Sequence, residues 1–172
     1  MKTVLAILLA GAIGFGSAGP VVAAGAGKFT ENVLYSFGGG SDGEYPGAGL
    51  IEVNGILYGT TVQGGGTGCG GDGCGTLFSL DPASGAERVL YSFCSRTGCK
   101  DGASPESALI DVKGILYSTT ESGGVNTACG GTDDCGTVFS LDPGTGEEKV
   151  LYSFCSYPIC TMALIPSPAW WS

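Results

Sequence analysis

Eight cysteines are the residues of this chain whose type and spacing point most directly to chemistry. They fall into four local pairs with four or five residues between the partners: Cys69 with Cys74, Cys94 with Cys99, Cys129 with Cys135, and Cys155 with Cys160. Such short spacing favours a disulfide within each loop. The segment Gly38–Ser41 stands where the loop Cys94–Cys99 stands later in the chain, and it lacks both cysteines together, as a disulfide pair predicts.

A four-sulfur zinc site made from two nearby pairs is the alternative use of these thiols. The chain contains no histidine, and its pairs are spaced more widely than the roughly two intervening residues of common zinc motifs. The sequence therefore predicts disulfide-bonded cysteines and no cofactor.

Carboxylates are the remaining candidates for catalysis, because the absence of histidine excludes Ser-His and Cys-His mechanisms. Two paired acids could act as general acid and base in glycoside hydrolysis. The candidates are Asp42, Asp101, Asp81 and Asp142. Each adjoins Gly or Pro and each recurs in a second, similar segment, whereas catalysis needs one asymmetric pair. Turn formation is the favoured interpretation, and the sequence predicts no catalytic residue and no enzymatic activity.

Two glycine-rich loops with carboxylates, Gly70–Asp72 and Gly130–Asp134, could supply oxygen ligands to calcium. Neither has the spacing of an EF-hand, so calcium is kept as an alternative only. Aromatic side chains could stack on sugars: Tyr35, Tyr58, Tyr91, Tyr117, Trp170 and Trp171. For the tyrosines, which lie in predicted strands, core packing is the favoured role.

Composition limits the class of fold and partner. The 172 residues include 33 glycines and only 13% charged side chains, which disfavours long helices and favours strands and turns. The formal charge is −9, and loss of Lys2 with a cleaved leader would make it −10. An acidic chain without a basic stripe is poorly suited to phosphate backbones, so no nucleic-acid partner is expected.

The N-terminus has the pattern of a secretory signal peptide. Lys2 precedes an apolar run, Val4–Phe15, and small residues continue to Ala26, so residues 1–26 are predicted to be removed after Ala24 or Ala26. The alternative is an uncleaved membrane anchor. No second apolar stretch follows, so we expect a secreted or surface-located chain without a membrane span. An oxidising compartment also favours the disulfides.

A tandem repeat organises the rest of the chain. Val-Leu-Tyr-Ser-Phe occurs at Val33–Phe37, Val89–Phe93 and Val150–Phe154, 56 and 61 residues apart. Predicted strands are 29–37, then 50–53, 56–61, 76–80 and 87–93, then 109–112, 115–120, 137–141 and 148–154. Asn54-Gly55 and Lys113-Gly114 are predicted hairpin turns. Four-stranded antiparallel meanders at this period are typical of β-propeller blades, so the predicted fold is all-β with two blades, about 48–93 and 107–154.

The repeated motifs resemble a known family. Leu-Tyr-Ser-Phe, Asp-Gly-x-x-Pro, Leu-Tyr-Gly-Thr-Thr-x-x-Gly-Gly and Gly-Thr-Val-Phe-Ser-Leu are similar to those of the GloVer (Gloeo/Verruco) tandem repeat of exported bacterial proteins, over about residues 29–160. The resemblance implies a secreted or surface-attached, propeller-like protein without an established activity. Two departures stand out: a closed propeller needs about four blades or more, and residues 161–172 depart from the repeat, as in a truncated or frameshifted form.

These observations predict a repeat domain over 27–160 that acts as an extracellular or cell-surface interaction module. Its partner is an unknown protein or glycan, and its exposed blade edges favour self-association. The alternatives are an extracellular carbohydrate-active hydrolase and a calcium-dependent adhesion propeller.

Overall fold

The computed structural model describes residues 3–6, 30–125 and 135–154. Apart from one short 3-10 turn at Cys69–Gly71, the regular structure in these ranges consists of strands, so the all-β prediction is confirmed. The strands are β1 (Thr3–Ala6), β2 (Val33–Phe37), β3 (Gly43–Pro46), β4 (Ile51–Val53), β5 (Ile56–Gly64), β6 (Thr76–Leu80), β7 (Glu87–Ser92), β8 (Ile110–Val112), β9 (Ile115–Thr119), β10 (Thr137–Asp142) and β11 (Glu147–Ser153).

Two antiparallel sheets contain the two predicted repeats. The first repeat sheet has the order β3-β5-β6-β7, with β4 also paired to β5, and the second has the order β11-β10-β9-β8. The predicted up-and-down order of both sheets is confirmed. Strand β3 was not predicted, because Pro46 and the neighbouring glycines indicated a loop; it forms because β5 continues to Gly64 and pairs with it.

The predicted hairpin turns are present. Asn54 and Gly55 have φ angles of 54° and 84°, and Lys113 and Gly114 have 56° and 85°. Positive φ at both central residues is the requirement of a type I′ turn, which matches the twist of the flanking strands. Lys113 therefore adopts the same turn geometry as Asn54, although a lysine side chain cannot form the local hydrogen bonds that stabilise asparagine in this geometry.

The two repeat sheets share a core. Its buried members are Cys74, Leu77, Phe93, Ala103, Leu109, Leu116, Phe139 and Leu141. The ring of Phe93 packs edge-on against Phe139 in the second sheet at 5.0 Å, and the ring of Phe37 packs in the same way against Phe78 in the first sheet at 4.9 Å. The last residue of each of the first two Val-Leu-Tyr-Ser-Phe copies therefore packs against the central phenylalanine of the next sheet.

Strands β1 and β2 form a separate two-stranded antiparallel sheet. Strand β1 lies within the predicted signal peptide, where no strand was expected. The described strands do not close into a barrel or ring. Within the described ranges, no helix has the length and apolar character needed to cross a membrane.

Candidate functional site

Asp101 of the second Asp-Gly motif is the best-connected polar side chain between the repeats. It is fully buried. Its carboxylate accepts hydrogen bonds from the Tyr91 hydroxyl at 2.8 Å, the Ser95 amide and hydroxyl at 2.9 and 2.8 Å, and the Arg96 amide at 3.2 Å. Hydrogen bonds to a charged acceptor are the strong kind. Asp101 therefore holds the loop after β7 in place from inside.

The first repeat has the same arrangement around Asp42, with fewer hydrogen-bond partners. Asp42 is half-buried, and it accepts from the Tyr35 hydroxyl at 3.1 Å and from the Gly38 and Gly43 amides at 2.7 Å each. This loop contains no cysteine. The turn-forming role predicted for Asp42 and Asp101 is thus present, and it extends to a tertiary contact with the tyrosine of the preceding strand. Burial and the neighbouring Asp42 raise the pKa of Tyr35 to about 12, so this hydroxyl remains a donor.

The glycine of each Asp-Gly motif is required for a close approach. Thr120 and Thr137 are buried, with hydroxyl oxygens 2.9 Å apart. A Cβ atom at Gly102 would lie 2.6 Å from the Thr120 side chain and 2.8 Å from the Thr137 hydroxyl. Gly43 lies in the same way against a second threonine pair, Thr61 and Thr76. The motif therefore couples a turn to a hydroxyl pair that links neighbouring strands.

A second carboxyl group lies near each aspartate, buried in the second repeat and half-buried in the first, and sequence reasoning missed both. Glu148 has a side chain with no solvent exposure, and its Oε2 is 2.8 Å from Arg96 Nη2. Arg96 makes no well-directed hydrogen bond to either carboxyl oxygen, and its guanidinium donates to the Glu148 carbonyl oxygen instead. Burial raises the pKa of Glu148 to about 7 against the opposing effect of Arg96, and Asp101 raises it further.

Glu87 is the counterpart of Glu148 in the first repeat. Burial and the nearby charge of Asp42 raise the pKa of Glu87 to about 7. Both glutamates stand two residues before the valine of a Val-Leu-Tyr-Ser-Phe copy, and this recurrence is the signal that could have identified them. Each repeat thus contains an acidic pair between strands, formed by the Asp-Gly aspartate and this glutamate.

These pairs have the chemical composition of an acid–base couple. Asp101 and the Glu148 side chain are enclosed by protein, and the couple occurs in both repeats rather than once. The other candidate aspartates lie in turns: Asp81 accepts from the Ala83 amide and Ser84 hydroxyl, and Asp142 accepts from the Gly144 amide.

Glu148 yields a prediction on pH. Its folded-state pKa of about 7 exceeds the ordinary 4.5, so folding takes up a proton between these values. The resulting stability is complete at low pH and is lost as pH rises through 7. Glu148→Gln removes the ionisation, and we expect it to stabilise the chain by about 1 to 3 kcal/mol at pH 8 and much less at pH 5. Thermal unfolding followed by circular dichroism at both pH values measures this.

Glu147→Gln is the matched control, because Glu147 is adjacent and its side chain is 62% exposed. It should leave the melting temperature unchanged at both pH values. An equal effect of the two substitutions, or a Glu148→Gln effect that does not depend on pH, would contradict the burial argument.

The predicted cysteine pairs are found where the structure describes them. Disulfides join Cys69 to Cys74 and Cys94 to Cys99. Cys135 is also disulfide-bonded, while Cys129, Cys155 and Cys160 lie outside the described residues. The four sulfur atoms of the first two pairs all lie within 4.8 Å of one another. Sequence reasoning raised a site made from two nearby pairs but did not identify which loops face each other, because these two loops belong to different connections.

The remaining loop carboxylates and aromatic residues considered as ligands are exposed, half-buried or outside the described residues. Of the two calcium-loop candidates, Asp72 is solvent-exposed, and Gly130–Asp134 lies outside the described residues. Tyr58 and Tyr117 are half-buried in strands, whereas Trp170 and Trp171 lie outside the described ranges. A shallow depression of about 340 Å³ on the second repeat sheet is lined by small, hydroxyl and apolar residues and has no carboxylate in its lining.

Comparison with known families matches the chain to the Gloeobacter/Verrucomicrobia repeat over residues 16–163. Comparison with curated proteins gives no significant match. The matched region includes both repeat sheets, both Asp-Gly motifs and all eight cysteines. The chain therefore belongs to the Gloeobacter/Verrucomicrobia repeat family.

Proposed function

We propose that this chain is an exported, non-enzymatic repeat protein that acts outside the cell or at its surface as an interaction module, with its two repeat sheets serving as propeller-like blades. The observation that carries the proposal is the pairing of β1 with β2. Strand β1, the partner of β2, lies in the predicted signal peptide. Cleavage of that peptide would therefore leave β2 with an unpaired edge, where another strand can bind.

The register shows how closely β1 imitates a repeat strand. In the first repeat sheet, Leu77 of β6 faces Tyr91 and Phe78 faces Val89, so the ladder skips Leu90. The second sheet skips Leu151 in the same way. In the β1–β2 pair, Leu5 faces Tyr35 and Ala6 faces Val33, so the ladder skips Leu34. Strand β1 therefore occupies the position that β6 and β10 occupy in their own sheets.

A repeat strand is the better occupant of this edge. Strand β6 forms five residue pairs with its neighbour, whereas β1 forms four with β2. Ala6 occupies the register position of Phe78, a residue with far more apolar surface to bury. Once residues 1–26 are gone, β2 presents unpaired N–H and C=O groups, and strand addition satisfies them. The partner we propose is a Gly-Thr-x-Phe-Ser-Leu strand from another repeat-bearing chain.

The opposite end of the described repeats offers a second apolar surface. Tyr152 and Phe154 are 50% and 40% exposed, and their rings pack edge-on at 5.4 Å, close to the 5.1 Å of Tyr35 with Phe37. Phe37 and Phe93 bury their rings against a following sheet, so Phe154 is oriented to receive one. This surface supports assembly with a further repeat sheet.

Binding of a synthetic strand tests the proposal. The full chain is secreted from a bacterial host, its N-terminus is sequenced, and a fluorescent peptide with the sequence Gly75–Pro82 is titrated by anisotropy. We expect cleavage near Ala24 or Ala26 and saturable binding by the processed chain. A precursor whose cleavage is blocked should bind at least about tenfold more weakly, because β1 occupies the edge.

The control peptide has aspartate at the positions of Leu77 and Phe78, and it should not bind. An intact leader on the secreted chain, equal binding by precursor and processed chain, or equal binding of both peptides would each overturn the proposed interaction. Release of reducing sugar from polysaccharides by the wild-type chain, lost in Glu148→Gln, would replace it with a hydrolase function.

A further inference from the structure

We propose that Cys69, Cys74, Cys94 and Cys99 form a redox-gated metal site: closed as two disulfides, and able to bind one Zn²⁺ through four thiolates once both disulfides are reduced. The site lies between the β5–β6 connection and the loop after β7, apart from the strand edge proposed above.

The geometry already gathers the four ligands. Their sulfur atoms all lie within 4.8 Å of one another. In a tetrahedral zinc site with Zn–S bonds of about 2.3 Å, neighbouring sulfurs are about 3.8 Å apart. Opening the two bridges and moving each sulfur by about 1 Å therefore converts one arrangement into the other.

Hydrogen bonds hold the Cys94–Cys99 loop without help from its disulfide. Asp101 fixes Ser95 and Arg96 from inside, as described above. The equivalent loop after Phe37 closes on Asp42 in the same manner and has no cysteine at all. Closing this loop therefore does not require a disulfide, which leaves the sulfurs free to serve another purpose.

The Cys69–Cys74 loop is also held by its backbone. The Gly73 amide donates to the Gly68 carbonyl at 3.0 Å, and the Gly64 amide donates to the Asp72 carbonyl at 2.9 Å. A Cβ atom at Gly68 would lie 2.6 Å from the Cys74 sulfur, so glycine permits the loop to fold over that ligand. Both loops should keep their shape after reduction.

The four cysteines differ in solvent exposure, so the site is buried on one side and accessible to solvent on the other. Cys74 belongs to the shared core and is 2% exposed, Cys94 and Cys99 are half-buried, and Cys69 is exposed. A metal ion can enter past Cys69, while the core excludes water from the opposite side. Four sulfur ligands with no open position define a structural zinc site.

The chemistry balances with a dithiol as reductant. Each disulfide accepts two electrons and two protons from one dithiol, which becomes a disulfide, so two dithiols release four protein thiols. Zn²⁺ then replaces four protons to give a tetrathiolate complex with a net charge of −2. In the reverse reaction, two molecules of the disulfide form of the same dithiol accept the four electrons, both bridges re-form and the ion is released.

Cobalt and zinc titrations test the site. The variant that carries Cys129→Ser, Cys135→Ser, Cys155→Ser and Cys160→Ser keeps only the described cluster, and it is reduced with a phosphine under anaerobic conditions. We expect one Co²⁺ per chain with the intense visible bands of tetrahedral sulfur ligation, displacement of Co²⁺ by one Zn²⁺, and no binding before reduction. Adding Cys94→Ser and Cys99→Ser should weaken binding at least about 100-fold.

Alkylation of the unmutated chain tests the site without relying on the folding of the cysteine variants. After reduction, Zn²⁺ should protect Cys69, Cys74, Cys94 and Cys99 from iodoacetamide, as read by peptide mass spectrometry, and urea should abolish the protection. Weak octahedral cobalt spectra, unchanged affinity after loss of Cys94 and Cys99, or protection that persists in urea would each overturn the site. None of these outcomes depends on strand binding at β2.

Discussion

Asp101→Ala is expected to lower the free energy of unfolding by about 3 to 5 kcal/mol, the range found when one partner of a buried charged network is removed. The substitution leaves the Tyr91 hydroxyl and the Ser95 and Arg96 amides without the acceptor they share. It also unlocks the loop that leads from the first repeat sheet to the second. Urea unfolding of the purified, oxidised chain, followed by circular dichroism, gives the value.

Asp81→Ala serves as the comparison, because Asp81 stabilises only an exposed turn through the Ala83 amide and Ser84 hydroxyl. We expect it to cost far less than Asp101→Ala, because the hydrogen bonds of an exposed turn are readily exchanged for bonds to water. Asp42→Ala, with fewer hydrogen bonds and partial exposure, should fall between the two. If Asp101→Ala were no more harmful than Asp81→Ala, the Asp-Gly motif would be a turn signal and nothing more.

Gly102→Ala is expected to cost about 3 kcal/mol or more, because two penalties add. The φ angle of 92° is unfavourable for an L-residue, and the new methyl group would collide with the hydroxyl pair of Thr120 and Thr137. The threonines are buried and cannot retreat without breaking the bond between them. The same unfolding measurement applies.

Gly114→Ala separates the two penalties. Its φ angle of 85° is similar, but a Cβ there meets no atom within 4 Å. We expect only the conformational cost, about 1 to 2 kcal/mol. Equal losses in the two variants would show that the threonine pair adjusts freely, contrary to the close packing described above.

Local chemistry made much of this fold predictable. Asn54-Gly55 between two apolar runs strongly predicts a tight hairpin turn, and the recurring apolar runs define the strands on either side. Strand β3 was missed because its pairing depends on how far β5 extends, which the composition of Gly43–Pro46 does not reveal. Local sequence patterns predict that a strand is present. The number of residues over which it pairs depends on the neighbouring strand.

The candidate sites were predictable only in part, for a related reason. Asp101 forms a turn, as predicted, but it also accepts a hydrogen bond from Tyr91 ten residues earlier and lies close enough to Glu148 of a later strand to raise the pKa of that glutamate. Cysteine spacing indicates pairing within a loop and is silent on which loops face each other. Contacts between repeats are set by packing, so they escape reasoning that treats each loop alone.

The edge-on contacts of Phe37 with Phe78 and of Phe93 with Phe139 have a consequence for how such arrays change in length. Each contact joins the end of one sequence copy to the middle of the next, so a unit that is duplicated or deleted brings one complete interface with it. Energy then accumulates as a nearest-neighbour sum along the array. Duplication of a repeat in the gene therefore requires no new interface between repeats. An array with one further copy should unfold at a higher temperature.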